Sequence, residues 1–211
     1  MATEHDERTA ATEEHRESAR LPRGIQHVVL TLVIGVVIAA VAWYFVQPGG
    51  EEPASQAVSL TAEASGPPPK VGEPAPDFRL TDMSGNLVQL SDFRGQPVWI
   101  TFWASWCPPC RAENPDIEAT YQKYREAGLV VIAVDIGEET SAARGYLERT
   151  GLSFLVGLDQ TTEVSATYRI VGIPTHYFVD GDGVLQEFRI GALSRKAMDE
   201  KVEKLLAPEG Q

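Results

Sequence analysis

Two cysteines directly after a continuous apolar run are the feature that most constrains how this chain can fold. Residues 97–103 read PVWITFW, and Cys107 and Cys110 follow soon after. A short apolar run of this kind is typical of a strand that is buried on both faces. A helix is predicted over residues 107–127, with a kink at Pro115 because proline removes an internal hydrogen bond. The cysteine pair is therefore predicted at a strand-to-helix junction.

The rest of the chain after residue 70 alternates between short apolar runs and amphipathic segments. A second buried strand is predicted at residues 129–135. Hairpins are predicted from residues 77–80 with 87–90 and from 175–179 with 184–190, and helices over 141–149, 162–168 and 194–206. Buried strands connected through helices predict an α/β domain with a central mixed β-sheet flanked by helices.

Residues 25–46 form an apolar stretch without a formally charged residue. As a helix these 22 residues rise about 33 Å, which is enough to cross a hydrocarbon core of about 30 Å. Arg16, Arg20 and Arg23 precede the stretch, and no Lys or Arg follows it until Lys70. The positive-inside rule then predicts a single-pass transmembrane anchor in the cytoplasmic membrane. The N-terminus is expected inside, and the domain in the periplasm or outside the cell.

A cleavable signal peptide is the alternative interpretation of this stretch. Residues 40–42 fit a small-x-small cleavage site, although cleavage there would leave an apolar stub. Both interpretations export the remainder of the chain. The predicted organisation is a disordered cytoplasmic tail at 1–24, the transmembrane anchor at 25–46, a flexible linker rich in Pro, Gly, Ala, Ser and Glu at 47–70, and one folded domain at 71–211.

The spacing and position of the cysteines indicate redox chemistry. Cys107 is placed at a helix N-terminus, where unpaired backbone amides and the helix dipole favour a thiolate, the nucleophile of disulfide exchange. Cys110 lies one turn later, where it can attack a mixed disulfide, and the geometry implies that it is the less exposed of the two. A structural disulfide across so short a loop would stabilise the fold little. A zinc site lacks ligands, because His176 is the only histidine of the domain.

The charge of the chain excludes one class of partner. The 18 Lys and Arg against 30 Asp and Glu give a net charge of −12, which argues against binding to nucleic acid. The exported part keeps this acidic balance. It is therefore expected to be soluble and not to bind anionic lipid by charge.

Four short motifs resemble the exported, membrane-anchored thioredoxin-like proteins of the TlpA, ResA and CcmG type. They are residues 75–78 (APDF), 90–95 (LSDFRG), 102–113 (FWASWCPPCRAE) and 172–175 (GIPT). The resemblance implies a thioredoxin fold with an N-terminal β-hairpin extension and a central insertion, and a thiol–disulfide oxidoreductase without a cofactor. It also implies a reductant in cytochrome c assembly, with a disulfide-bearing substrate such as apocytochrome c or an oxidase assembly factor. Electrons would come from an integral-membrane thiol donor of the CcdA or DsbD type.

The resemblance also assigns roles to residues around the cysteines. It implies that the bond before Pro174 is cis, which would leave the backbone of Ile173 free to pair with an extended substrate. Glu113 matches an acidic residue that exchanges a proton with the second cysteine, although a solvated helix carboxylate is the alternative. Trp106 is expected to be a lid over the disulfide or, alternatively, a packing residue.

Three positions bear on rival activities. Thr101 stands where thioredoxin has a buried Asp, so any proton relay would have to rely on Glu113 alone. Ala104 stands where a peroxidase of the redoxin superfamily has Thr or Ser, which argues against that activity. A copper chaperone is the stronger rival, since soft thiolates select Cu(I) and His176 would be a third ligand. Strand alternation, however, favours a His176 that points away from the cysteines.

Overall fold

The computed structural model describes residues 23–46 and 54–207. The predicted tail up to residue 22 and the first part of the predicted linker, residues 47–53, lie outside the described residues. By its contacts the chain divides into two compact units after Gly50.

The first unit contains helix α1 (Arg23–Val46). The apolar side chains described between residues 25 and 41 are exposed, among them Val36 and Ile38, which are 69% and 63% exposed. Within the two described ranges, no helix combines the length and the apolar character needed to cross a membrane.

The second unit is a mixed β-sheet with helices. Its described part contains nine strands: β1 (Gln56–Ala57), β2 (Arg79–Asp82), β3 (Leu87–Gln89), β4 (Val98–Trp103), β5 (Val130–Ile136), β6 (Leu155–Asp159), β7 (Gly172–Ile173), β8 (Thr175–Val179) and β9 (Leu185–Ile190). Its helices are α2 (Pro108–Tyr124), α3 (Thr140–Thr150), α4 (Glu163–Thr167) and α5 (Arg195–Leu206). Seven strands form one sheet in the order β3-β2-β6-β5-β4-β8-β9, and β1 pairs with β7. The predicted α/β class and both predicted hairpins, β2–β3 and β8–β9, are confirmed.

Strand β4 lies in the middle of the sheet, and its sequence explains why. All six side chains of VWITFW are buried, so the strand must be covered on both faces. It runs parallel to β5 and antiparallel to β8. Because β4 ends at Trp103, the chain leaves the sheet just before Cys107, and α2 begins at Pro108. The fold thereby places the cysteine pair at the carboxyl end of a central strand, as predicted.

Some elements differ from the prediction in their bounds. The helix predicted over residues 107–127 ends at Tyr124 and continues as a 3₁₀ turn over Arg125–Ala127. Strand β6 was not predicted, because Gly157 interrupts its apolar pattern. This glycine allows a close approach, since a Cβ at residue 157 would lie 2.9 Å from Cδ1 of Leu80 on β2.

Part of the predicted flexible linker over residues 47–70 contacts the folded domain, namely residues 54–66. Strand β1 pairs antiparallel with β7, with Gln56 opposite Ile173. Val58 and Leu60 are half-buried and pack against the core, and the residues on either side of them are more exposed. Two alternating apolar residues are too short a strand pattern to stand out in a segment rich in Ala, Ser and Pro.

Candidate active site

Cys107 and Cys110 form a disulfide at the N-terminus of α2. Cys107 caps the helix and Pro108 occupies its first position, where the missing N–H costs nothing. The backbone N–H of Cys110 lies 3.2 Å from Cys107 Sγ and points at it. Because Pro108 and Pro109 have no N–H, the Cys110 amide is the one donor that residues 108–110 offer to this sulfur.

Both cysteines are fully buried, each with 0% of its surface exposed. The expected difference in exposure is therefore wrong for the structure with an intact disulfide. Trp106, next to Cys107 in the chain, is 48% exposed. Trp106 is therefore not part of the hydrophobic core, which argues against the packing role for this residue.

The segment before β8 forms a second wall of the site. The Ile173–Pro174 peptide bond is cis, as the resemblance implied. The carbonyl oxygen of Ile173 lies 3.9 Å from Cys107 Sγ. The hydroxyl of Thr175 donates a hydrogen bond of 2.6 Å to the carbonyl of Gly172, which fixes this segment. Contrary to expectation, the backbone edge of Ile173 is not free, because β1 pairs with it.

Glu113 lies one helical turn after Cys110 and is only 4% exposed. The alternative of a solvated carboxylate is therefore wrong. Its Oε2 accepts a hydrogen bond of 3.0 Å from the backbone N–H of Leu193. Its Oε1 lies 3.5 Å from Nε2 of His176. The buried carboxyl group thus faces one amide and one imidazole.

His176 is fully buried on β8, between Glu113 and Trp99. The indole N–H of Trp99 donates to Nδ1 of His176 over 3.3 Å. Since Nδ1 accepts, a neutral ring carries its proton on Nε2, which faces Glu113. Sequence reasoning missed this contact, because only the sheet register brings β8 beside α2.

The same contacts bear on the copper hypothesis. Each ring nitrogen of His176 faces another protein group, Trp99 on one side and Glu113 on the other. Within residues 23–46 and 54–207, no group of three or more His, Cys, Asp or Glu side chains is arranged to hold a metal ion. His176 as a third Cu(I) ligand therefore gains no support from the geometry.

The two positions that distinguish this chain from related folds are both buried. Thr101 is 1% exposed and pairs across the sheet with His176, and its hydroxyl makes no hydrogen bond. Ala104 is also fully buried. Thr101 carries no group that titrates near neutral pH, so the nearby Glu113 and His176 are the candidates for proton exchange.

A pair of carboxyl groups, which sequence reasoning missed, lies at the carboxyl end of β5. Asp135 is 1% exposed and lies opposite Trp103 on β4. Burial, together with the neighbouring Glu138 carboxylate, raises the pKa of Asp135 to about 10. Glu138 accepts hydrogen bonds from the backbone N–H and the hydroxyl of Ser105, at 2.6 Å and 2.5 Å. Glu138 thereby holds the turn that leads from β4 to Cys107.

Known proteins are similar to this chain in sequence. The model of the AhpC/TSA family matches residues 71–188. The thiol-disulfide oxidoreductase ResA of Bacillus thuringiensis subsp. konkukian is 35% identical over 137 residues, which are 64% of this chain and 79% of that protein. The family match over residues 71–188 includes Cys107, Cys110, Glu113 and Pro174.

Solved structures share the fold. A candidate thiol:disulfide interchange protein DsbE from Chlorobium tepidum superposes with a TM-score of 0.63 at 31% identity, covering 66% of this chain and 99% of that one. The thioredoxin domain of a thiol-disulfide oxidoreductase from Bacteroides vulgatus gives a TM-score of 0.60 at 27% identity, covering 65% and 99%. The sheet and helices are those of the thioredoxin fold. The chain therefore belongs to the AhpC/TSA family, and it is a thiol-disulfide oxidoreductase.

Proposed function

We propose that this oxidoreductase reduces disulfides in partner proteins outside the cytoplasm while it is tethered to the cytoplasmic membrane. The position of Cys107 carries the proposal. Its sulfur lies at the N-terminus of α2 and 3.9 Å from the carbonyl oxygen of Ile173. A nucleophilic sulfur thus lies beside a short strand whose backbone can pair with an extended polypeptide.

The reaction balances with the two cysteines alone. In the reduced protein, the Cys107 thiolate attacks one sulfur of the substrate disulfide, and the other substrate sulfur leaves as a thiolate. A mixed disulfide then joins Cys107 to the substrate. Cys110 loses its proton and attacks Cys107 Sγ, which closes the Cys107–Cys110 disulfide and releases the second substrate thiol. Two electrons pass to the substrate, and a dithiol donor must reduce the cysteine pair again.

Glu113 is the proposed acceptor of the Cys110 proton. It is buried on the same helix, one turn beyond Cys110, and Thr101 supplies no alternative base. Nε2 of the buried His176 lies 3.5 Å from Oε1 of Glu113 and gives the carboxyl group a polar neighbour. Trp106, whose ring is exposed beside Cys107, is proposed to contact the bound substrate.

The prolines of the motif favour a reductant. A Cys107 thiolate receives the Cys110 amide but no amide from Pro108 or Pro109. Strong oxidants of this fold owe their potential to a highly stabilised thiolate, with a DsbA potential of about −120 mV. A less stabilised thiolate gives a lower potential. The exported compartment is oxidising, so the protein needs electrons from the membrane.

The tether and the partner class are supported by sequence and by resemblance. Residues 25–46 carry no charge and follow three arginines, as expected for a membrane anchor with an inside N-terminus. The ResA relatives are thiol-disulfide oxidoreductases. We propose a role in cytochrome c assembly, with apocytochrome c as substrate and an integral-membrane donor of the CcdA or DsbD type.

Trapping in cells tests this function. Cys110→Ser removes the resolving thiol, so mixed disulfides with the substrate should accumulate in the membrane fraction. Cys107→Ser is the matched control and should trap nothing. Equal trapping by both variants would contradict the division of labour. Captured proteins without a cytochrome c motif would contradict the assembly role, and a soluble form beginning near Trp43 would contradict the tether.

A further inference from the structure

The backbone edge beside the cysteines is occupied by the chain itself. Among the described residues, β7 pairs with β1 alone, and the register places Gln56 opposite Ile173. The N–H of Val58 donates to the carbonyl of Val171 over 3.3 Å. At the other end, the carbonyl of Ala54 accepts a 3.0 Å hydrogen bond from the N–H of Ala192. Residues 54–58 therefore lie where an added strand would lie.

The reactive sulfur beside this edge is not exposed to solvent. Cys107 and Ile173 are each 0% exposed, and the carbonyl oxygen of Ile173 contacts Cys107 Sγ. Disulfide exchange requires an incoming sulfur to reach the sulfur that it attacks. Some group near this edge must therefore move before Cys107 can react.

The segment that leads to the domain has a weakly held part and a firmly held part. Ser55, Gln56 and Ala57 are exposed, so strand β1 is held mainly by its backbone, and Val58 after it is half-buried against the core. Further along, the N–H groups of Thr61 and Ala62 both donate to Thr162 Oγ1 over 3.0 Å. Residues 54–58 can leave the edge while this later attachment persists.

The two residues of the domain that make this attachment have an unusual backbone conformation. Thr162 and Arg169 have φ angles of 61° and 58°, and they are the non-glycine residues with positive φ in the described part of the chain. This conformation is uncommon for residues with a side chain. Thr162 binds the backbone of Thr61, and the Arg169 guanidinium donates to the carbonyl of Gly66 over 2.6 Å. The later attachment, at residues 61, 62 and 66, therefore depends on two residues that hold an uncommon backbone conformation.

We propose that residues 54–58 are an internal competitor for the substrate edge, and that an extended substrate segment displaces them when the mixed disulfide forms. This inference rests on the proposed function. The sequence of residues 54–58 indicates which substrate segments would fit the same backbone edge, since these residues (ASQAV) are uncharged and mostly small. Gly172 allows a close approach, because a Cβ there would lie 3.3 Å from the carbonyl oxygen of Gln56. The fitting substrate carries small, uncharged residues beside its disulfide.

A proline variant tests the competition in the full chain, purified in detergent. Val58→Pro removes the N–H that binds Val171, whereas Ala64→Pro changes an exposed residue outside the strand. The rate at which dithiothreitol reduces the Cys107–Cys110 disulfide is measured by thiol alkylation. We expect Val58→Pro to react about fivefold faster, the effect of one lost backbone hydrogen bond on the opening equilibrium. Ala64→Pro should react at the wild-type rate.

Hydrogen exchange keeps the inference testable if the proline variant folds poorly. In Cys110→Ser, Cys107 is joined either to an extended peptide of small residues around one cysteine or to glutathione, which is too short to form a strand. The Val58 amide should lose its protection with the peptide and keep it with glutathione.

The outcomes separate the inference from the proposed function. Equal reduction rates for Val58→Pro and wild type, or protection that persists with the peptide bound, would overturn the competition. Failure of Cys107 to form either mixed disulfide would overturn the proposed function, and the dithiothreitol rates would still decide whether residues 54–58 cover the sulfur.

Discussion

Two buried carboxyl groups lie near the cysteine pair, and their surroundings are opposite in character. Glu113 on α2 is 4% exposed and receives the N–H of Leu193, with His176 Nε2 at 3.5 Å. Asp135 on β5 is 1% exposed and has the Glu138 carboxylate as its neighbour, and its pKa is raised to about 10. Polar donors thus surround Glu113, whereas burial and a second carboxylate raise the pKa of Asp135.

This difference separates two roles. Asp135 stays protonated at neutral pH and contributes to the buried end of β5, while Glu138 fixes Ser105 before the cysteines. Glu113 instead faces polar groups, the amide of Leu193 and the imidazole of His176, one helical turn beyond Cys110. The partner of a buried carboxyl group therefore decides whether it can serve in proton exchange.

Removing the partner of Glu113 should have the largest effect. His176→Phe leaves Oε1 of Glu113 without its polar neighbour and the Trp99 N–H without an acceptor. Leaving a buried polar group without a partner costs about 1–3 kcal/mol of unfolding free energy, and this variant affects two such groups, the Glu113 carboxyl and the Trp99 N–H. Urea unfolding of the oxidised protein measures the loss.

A double variant sharpens this test. Glu113→Gln replaces the buried carboxyl group by a neutral amide, so adding it to His176→Phe should restore part of the lost stability. If the losses of the two single variants simply add, the residues are not coupled. The comparison with Asp135 would then fail, since Glu113 would gain nothing from its imidazole neighbour.

The features that follow from local pattern could be predicted from the sequence. The buried β4, the junction with α2 and both hairpins depend on short runs of residue types, and they are confirmed. The Glu113–His176 contact and the β1–β7 pairing depend on long-range register, which no local pattern specifies. An acidic residue at the end of the apolar run 129–135 was a signal for Asp135. Its raised pKa, however, requires the position of Glu138 in the fold.

Asp135 should make stability depend on pH. The folded protein holds this proton up to a pKa of about 10, whereas the unfolded chain releases it near the ordinary aspartate pKa of 3.8. Between these values the folded state binds more protons, so the unfolding free energy falls as pH rises, by at most about 1.4 kcal/mol per unit. From about pH 5.5 to about pH 7.5, this gives a loss of up to about 3 kcal/mol.

Asp135→Asn should remove this part of the pH dependence and raise stability at neutral pH. Asp182→Asn is the control, because Asp182 is exposed and far from the pair in sequence. Urea unfolding at both pH values measures the slope. A slope that is the same in Asp135→Asn as in wild type would show that Asp135 is already ionised, and the contrast with Glu113 would disappear.

Glu138→Gln should have the smallest effect on stability. It tests two roles of Glu138, which are to accept hydrogen bonds from Ser105 and to raise the pKa of Asp135. An amide oxygen can still accept from Ser105, but without charge, so about 1–2 kcal/mol of stability should be lost. Removing the like charge should also lower the pKa of Asp135, so the pH dependence should end at a lower pH. Glu139→Gln changes an exposed neighbour and serves as the control. If both variants unfold alike and keep the wild-type pH profile, burial alone raises the Asp135 pKa, and the charged neighbour is not what distinguishes it from Glu113.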